Sequence, residues 1–190
     1  MLTTFVAYLL IACYFVIEKL LRKGQQALSL QAGSSDRGSS RLMWASGLFN
    51  ILIVLLAPIF NTARLGYWDN AYVGWIGLLL MIGGLTLRYW AAKTLSEFYT
   101  RTLRIIEGHQ IVDRGLYSVI RHPGYLGAFM MNIGAGLAVT NWIAVLAIML
   151  TGFVSCAYRI RAEEEMLETA FAEQYKIYVE KTWRFVPFIY

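Results

Sequence analysis

Charge is scarce in this chain. Asp, Glu, Lys and Arg make up 15% of its 190 residues, against about 25% in a soluble domain. Histidine and cysteine are scarcer still, at two each. His109 and His122 lie far from Cys13 and Cys156. Both cysteines sit inside apolar blocks, so neither a structural zinc site nor a disulfide framework is expected. Alternation of strand and helix patterns is missing, which leaves a soluble Rossmann-type domain nowhere to sit. Gly134-Ala135-Gly136 therefore reads as close helix packing, like Gly83-Gly84, and not as a nucleotide fingerprint. A positive n-region is missing too, because the first basic residue is Lys19. Leu10-Ile11-Ala12-Cys13, which looks like a lipoprotein cleavage box, thus reads as part of a first transmembrane helix with its N-terminus outside.

What the chain has is apolar surface. Hydrophobic residues reach 58%, above the usual 45–50% or so, and they are gathered in blocks. The reading is an all-α integral membrane protein with about five transmembrane helices. The blocks are Leu2 to Leu21, Leu42 to Phe60, Ala71 to Ala92, Gly124 to Val139 and Trp142 to Tyr158. The last two are short and joined by Thr140-Asn141, which predicts a helical hairpin that either crosses or re-enters. The polar stretch 22–41, with GSSDRGSS, reads as a flexible linker. Tyr67 and Trp68, in the loop after the second block, suit a membrane interface.

The net charge of +5 needs no nucleic acid to explain it. Lys and Arg number 5, 6 and 5 in segments 19–41, 88–121 and 159–184, and 1 in loop 61–70. Alternation through five spans puts the three rich segments on one side, which the positive-inside rule makes cytoplasmic. The polar segments 93–122 and 159–190 then face one compartment and are able to build a site together.

The first of these holds EGHQIVDRGLYSVIRHPGYLG, residues 107–127. Pro123 biases His122 away from helix and suits the first turn of the fourth helix. That helix opening favours an anion or carboxylate. His122 is open to two readings, a site residue or an interfacial cap on a lipid headgroup. Tyr117 and Tyr125 share the ambiguity, since interfacial tyrosines are ordinary. The second segment, YRIRAEEEMLETAFAEQY, gives Leu167, Phe171, Tyr175 and Tyr178 one apolar stripe if helical. Arg159 and Glu163 fall on one face, as a surface ion pair or as site residues. Arg159 ends a membrane block, where a guanidinium is able to take a lipid-borne carboxylate bidentately. The glutamate run is equally compatible with a solvated face.

Taken together, GHQIVDRGLYSVIRHPGYLG, then RIRAEEEMLETAF with EQY, then RFVPF, resembles the isoprenylcysteine carboxyl methyltransferase family and its phospholipid methyltransferase relatives. The resemblance covers about residues 95–188. It implies a methyltransferase core over 93–190, following helices and linker over 1–92. It implies S-adenosylmethionine as methyl donor and a lipophilic or lipidated acceptor, most simply the carboxylate of an isoprenylated cysteine. Cofactor contacts are implied for His109, Gln110, Ile111, Val112, Tyr117, His122, Pro123, Gly124, Tyr125 and Glu163. Arg159 is implied as the residue that engages the acceptor carboxylate. Family members often carry Ser or another residue where Gly124 stands; a backbone contact survives with Gly there, whereas a hydroxyl contact is lost. Membrane lipids are expected partners. Other readings of the same residues are a phospholipid amine or small thiol as acceptor, a nicotinamide-dependent membrane reductase, and a headgroup-binding scaffold.

Overall fold

The computed structural model describes residues 1–21, 36–100, 102–106 and 108–187, the side chain of Glu97 excepted. Among them the apolar blocks are five α-helices: α1 (Leu2–Leu21), α2 (Ser39–Thr62), α3 (Ala71–Leu95), α4 (Pro123–Ala138) and α5 (Trp142–Lys181). Short 3-10 turns at Ser96–Phe98 and Gly115–Ser118 punctuate the stretch between α3 and α4. Four helices are long and apolar enough to cross a membrane. The exception is α4, whose 16 residues rise only about 24 Å.

Local chemistry sets the helix starts. The Asn70 and Asn141 side chains accept the N–H groups of Tyr72 and Ala144, each at 2.9 Å, capping α3 and α5. Pro123 opens α4, where its missing N–H costs nothing.

The ends sort as the charge count predicts. The Thr3 hydroxyl donates to the Ala138 carbonyl at 2.8 Å, and the Trp68 N–H donates to Thr140 O at 3.0 Å. The start of α1, the 61–70 loop and the α4–α5 turn therefore share one end. Asp36, the 96–122 stretch and the α5 residues beyond Arg159 gather at the other. The α4–α5 hairpin runs from one end to the other and does not turn back midway.

Close packing of α3 on α4 is made by glycines seven residues apart. A Cβ on Gly77 would lie 2.6 Å from Gly134 O, and one on Gly84 would lie 2.5 Å from Gly127 O. Backbones approach this closely only without side chains between them. Of the glycines expected to pack helices, Gly84 and Gly134 do so, as does Gly136, where a Cβ would lie 3.2 Å from Val145 Cα of α5, whereas a Cβ on Gly83 would meet only the tip of Met130 at 3.8 Å.

Two boundaries differ from expectation. The linker expected over 22–41 ends early: Asp36–Gly38 make a turn and α2 begins at Ser39. Residues 22–35 lie outside the described residues. Asp36, Ser39 and Ser40 are buried, because they supply acceptors to a buried guanidinium. At the other end, the fifth block does not stop at Tyr158. No Gly or Pro follows for 28 residues, so α5 continues to Lys181 as a 40-residue helix. It breaks once, at Ala172, whose φ of 40° and ψ of −107° redirect the last turns.

A buried polar cluster ties α1 to the rest. Glu18, 5% exposed, accepts Arg88 Nε at 2.7 Å and the Tyr99 hydroxyl at 2.7 Å. Arg88 also donates to the Gly124 carbonyl at 2.9 Å, at the first turn of α4. Leaving one buried charge unpaired costs about 3–5 kcal/mol. Arg88→Met is therefore expected to destabilise the protein by about that much, and adding Glu18→Gln to restore part of it. Thermal unfolding of the single and double variants in detergent checks this; strictly additive losses would dismiss the coupling.

Candidate active site

The site forms where the loop before α4 meets the middle of α5. Tyr125 is its pivot. Its hydroxyl donates to Glu163 Oε2 at 2.6 Å and accepts from Arg159 Nε at 3.1 Å. The Arg159 and Glu163 expected on one helix face thus do not pair across solvent but converge on one phenol. Arg159 is 5% exposed. Its Nη1 also donates to Asp36 Oδ1 at 2.8 Å and to the Ser39 and Ser40 hydroxyls at 2.9 and 2.8 Å.

His122 stands beside this pair. It is 4% exposed and makes no side-chain cap bond to α4, so the reading of it as an interfacial cap on a lipid headgroup falls. Its Nε2 lies 3.2 Å from Glu164 Oε1, and its Nδ1 lies 4.0 Å from Glu163 Oε2. A carboxylate only accepts, so Nε2 carries the proton that is shared with Glu164.

Glu164 joins three segments. It accepts from Arg121 Nε at 3.2 Å, from His122, and from Arg184 Nη2 in the chain after α5. Burial alone would raise its pKa. The hydrogen bonds and charges of His122 and Arg184 bring it down to about 2. The same junction holds a parallel backbone bridge: Trp183 N–H donates to Val119 O at 2.9 Å, and Arg121 N–H donates to Trp183 O at 2.8 Å. Arg121 Nη1 reaches the Thr182 and Val179 carbonyls as well.

The bend at Ala172 points the last turns of α5 back at the loop. Tyr178, on the predicted stripe, donates its hydroxyl to Tyr117 O at 2.8 Å. Burial raises the pKa of the Tyr175 and Tyr178 phenols, so both stay protonated. A cavity of about 530 Å³ opens between these turns and the loop. His109, Gln110, Ile111 and Asp113 line it from the loop, and Phe171, Gln174, Tyr178 and Lys181 line it from α5. His109 stacks on Phe98 with centroids 4.8 Å apart. Burial lowers its pKa, and Glu163 is near enough for its charge to oppose that shift. The buried His109 Nδ1 and Tyr175 hydroxyl have no hydrogen-bond partner among the described residues.

The expected residues therefore fall into two adjoining groups. His122, Tyr125, Glu163 and Arg159 form the polar centre, while His109, Gln110 and Ile111 form the cavity wall. Tyr117 and Gly124 sit between them: a Cβ on Gly124 would lie 4.0 Å from the Tyr117 hydroxyl and 3.7 Å from Arg88 Nη1. Tyr117 is buried and so is not an interfacial tyrosine. Pro123 is buried beneath the centre as the first residue of α4. Val112 is half-buried and does not line the cavity. Sequence reasoning passed over Asp36, Arg88, Arg121, Glu164 and Arg184. Glu164 was hidden in a glutamate run that also fits a solvated face, and Arg88 gave a signal as a lone cation inside an apolar block.

The profile described as the isoprenylcysteine carboxyl methyltransferase (ICMT) family matches residues 75–169. Protein-S-isoprenylcysteine O-methyltransferase A of Arabidopsis thaliana is 31% identical over 166 residues, covering 86% of this chain and 84% of that protein. A "Probable protein-S-isoprenylcysteine O-methyltransferase" of Oryza sativa subsp. indica is 30% identical over 125 residues, 65% of this chain. That match spans 64% of the rice protein's length. The fold is similar to that of a solved eukaryotic intramembrane Ras methyltransferase ICMT, with TM-score 0.69 and 22% identity over 93% of this chain and 62% of that one. Loop, hairpin and tail thus belong to a known class of integral membrane proteins. The chain is a member of the isoprenylcysteine carboxyl methyltransferase family.

The lowered pKa of Glu164 carries a stability prediction. Its stabilisation is complete above the ordinary carboxyl value of 4.5 and is lost as pH falls from there toward about 2. Thermal unfolding in detergent between pH 6 and 3 is expected to show a steeper acid loss for the wild type than for Glu164→Gln. Parallel curves would remove Glu164 from the linkage.

Proposed function

We propose that this protein transfers a methyl group from S-adenosylmethionine to the carboxylate of an isoprenylated cysteine, forming a methyl ester on the cytoplasmic side of the membrane. The convergence of Arg159 and Glu163 on the Tyr125 hydroxyl, beside the loop-lined cavity, carries this reading. Family membership and the names of the Arabidopsis and rice relatives support it.

The residues present fit the donor. The cavity offers aromatic walls, and the orphaned His109 Nδ1 awaits a polar partner. Glu163 suits an ammonium, and the start of α4, which no side chain caps, suits a carboxylate. When bound, S-adenosylmethionine supplies the methyl group on a positively charged sulfur.

A carboxylate acceptor is already nucleophilic at neutral pH, so the site needs no general base. Its task is alignment, which gives effective molarities of about 10⁵–10⁸ M in favourable geometry. Arg159 holds the acceptor carboxylate through its guanidinium. Tyr125 fixes the spacing between Arg159 and Glu163. The loop and the last turns of α5 exclude water, which otherwise blunts a carboxylate nucleophile. The donor enters from water, and the lipophilic acceptor enters sideways from the bilayer. The charge count of the sequence, with 16 of the 17 Lys and Arg in segments 19–41, 88–121 and 159–184, supports a site that faces the cytoplasm.

Glu163→Gln is expected to weaken S-adenosylmethionine binding roughly 10- to 100-fold, the value of a charged hydrogen bond. Isothermal titration in detergent reads this, and unaltered affinity would remove Glu163 from the donor site. Arg159→Ala is expected to lower acceptor kcat/KM by at least about 10-fold while donor affinity persists. Radiolabelled methyl transfer to S-farnesylcysteine reads the second; unchanged kinetics would sink the role.

A further inference from the structure

The family and the proposed reaction leave the buried Asp36 carboxylate without a task. Asp36 is 2% exposed and 2.8 Å from Arg159 Nη1, the residue assigned to hold the acceptor. Its position is heavily built. The Ser39 and Ser40 hydroxyls donate to its Oδ1 at 3.1 and 2.6 Å, and the Ser40 N–H donates to its Oδ2 at 3.2 Å. The turn that carries it is pinned to α5 on either side of Arg159. The Tyr158 hydroxyl donates to Arg37 O at 2.9 Å, and the Arg37 side chain pairs with Glu165 at 2.6 Å. Arg37 takes a left-handed backbone with φ 46°, a strain of order 1–3 kcal/mol that the pinning must overcome.

The two sides of the guanidinium are used differently. Nη1 faces Asp36 and the two serines, while Nε faces Tyr125 and, through it, Glu163. Asp36 therefore does not block the Tyr125 side. It neutralises the arginine from behind, at a distance where charges in a poorly solvated site interact strongly.

That neutralisation matters for the reaction proposed above. An O–CH₃ bond forms as a C–S bond breaks, and the electron pair of the broken bond leaves on sulfur. The acceptor's negative charge and the sulfonium's positive charge cancel along the way. A full cation beside the acceptor stabilises the ground-state carboxylate more than the partly neutralised transition state. Interactions stronger in the ground state lower KM but also lower kcat.

We infer that Asp36 is a positioning residue that tempers the charge of Arg159, so that the acceptor carboxylate is oriented without being over-stabilised. The inference rests on the proposed role of Arg159, and the experiment separates the two.

Asp36→Asn, nearly isosteric, removes the charge. Its affinity for N-acetyl-S-farnesylcysteine is expected to rise about 3- to 10-fold, while its affinity for the uncharged methyl ester stays as in the wild type. In turnover, KM for the acid and kcat are both expected to fall by similar factors. A merely structural role would weaken acid and ester alike, or raise KM, and either result overturns the inference, as does unchanged binding of the acid. If the wild type binds the acid but transfers no methyl group, the proposed reaction fails. The charge-tempering then stands or falls on the acid-versus-ester comparison alone. If the wild type binds neither molecule, both are overturned. Thermal unfolding in detergent checks that the variant is folded. If it is not, Asp36→Ser, which keeps a hydroxyl for the turn, is measured in the same assays, with the same outcomes deciding.

Discussion

The structure depends on the carboxylate of Glu164. Arg121 and His122 before α4, Glu164 within α5, and Arg184 after α5 have no covalent reason to meet. One ionised side chain accepts from all three, and the strand-like bridge between Ile120 and Trp183 forms alongside. Without that anchor, His122 and the cavity wall would lose their registration against Glu163. The neighbouring glutamates show the division of labour: Glu163 faces Tyr125, Glu164 faces the basic trio, and Glu165 faces Arg37. Successive residues of a helix point about 100° apart, so three adjacent acids reach three different partners.

A second constraint is the price of polarity at the edge of a membrane. Two buried charge pairs stand among the described residues: Glu18 with Arg88, and Asp36 with Arg159. The first pair links α1 to α3 and the second ties the turn before α2 to α5, contacts that hydrophobic packing alone would hold poorly, because lipid tails are as apolar as the side chains they would replace. The glycine contacts between α3 and α4 supply the complementary attraction, at close range and without charge.

Much of this was legible in the sequence. Block lengths mark five helices, four of them within a few residues at both ends, because apolar length is what a bilayer selects. The Arg-His-Pro segment marked the loop, and the Arg159–Glu163 spacing marked α5. What escaped was long-range. Asp36 sits 123 residues from Arg159 in a stretch whose Gly and Ser content reads as flexible. Arg88 and Glu18 are 70 residues apart. Spacing along a chain reports neighbours on one element, not partners on different ones. The continuation of α5 past Tyr158 was missed for a related reason. A change in hydropathy marks where a helix leaves lipid, whereas only Gly, Pro or a cap marks where it ends.

The α4–α5 hairpin has the proportions of a pair of tweezers. Its pivot, residues 139–141, lies at the end of the bundle remote from the site. From Trp142 to Glu163 the arm is about 32 Å long at 1.5 Å per residue. One degree of splay at the pivot therefore moves Glu163 by about 0.6 Å, comparable to the roughly 0.5 Å tolerance of a productive site. The salt links and bridge at residues 183–184 act as a clasp across the open tips. The accuracy of the jaws is thus set by a fastening in the terminal segment and not by stiffness within the lipid.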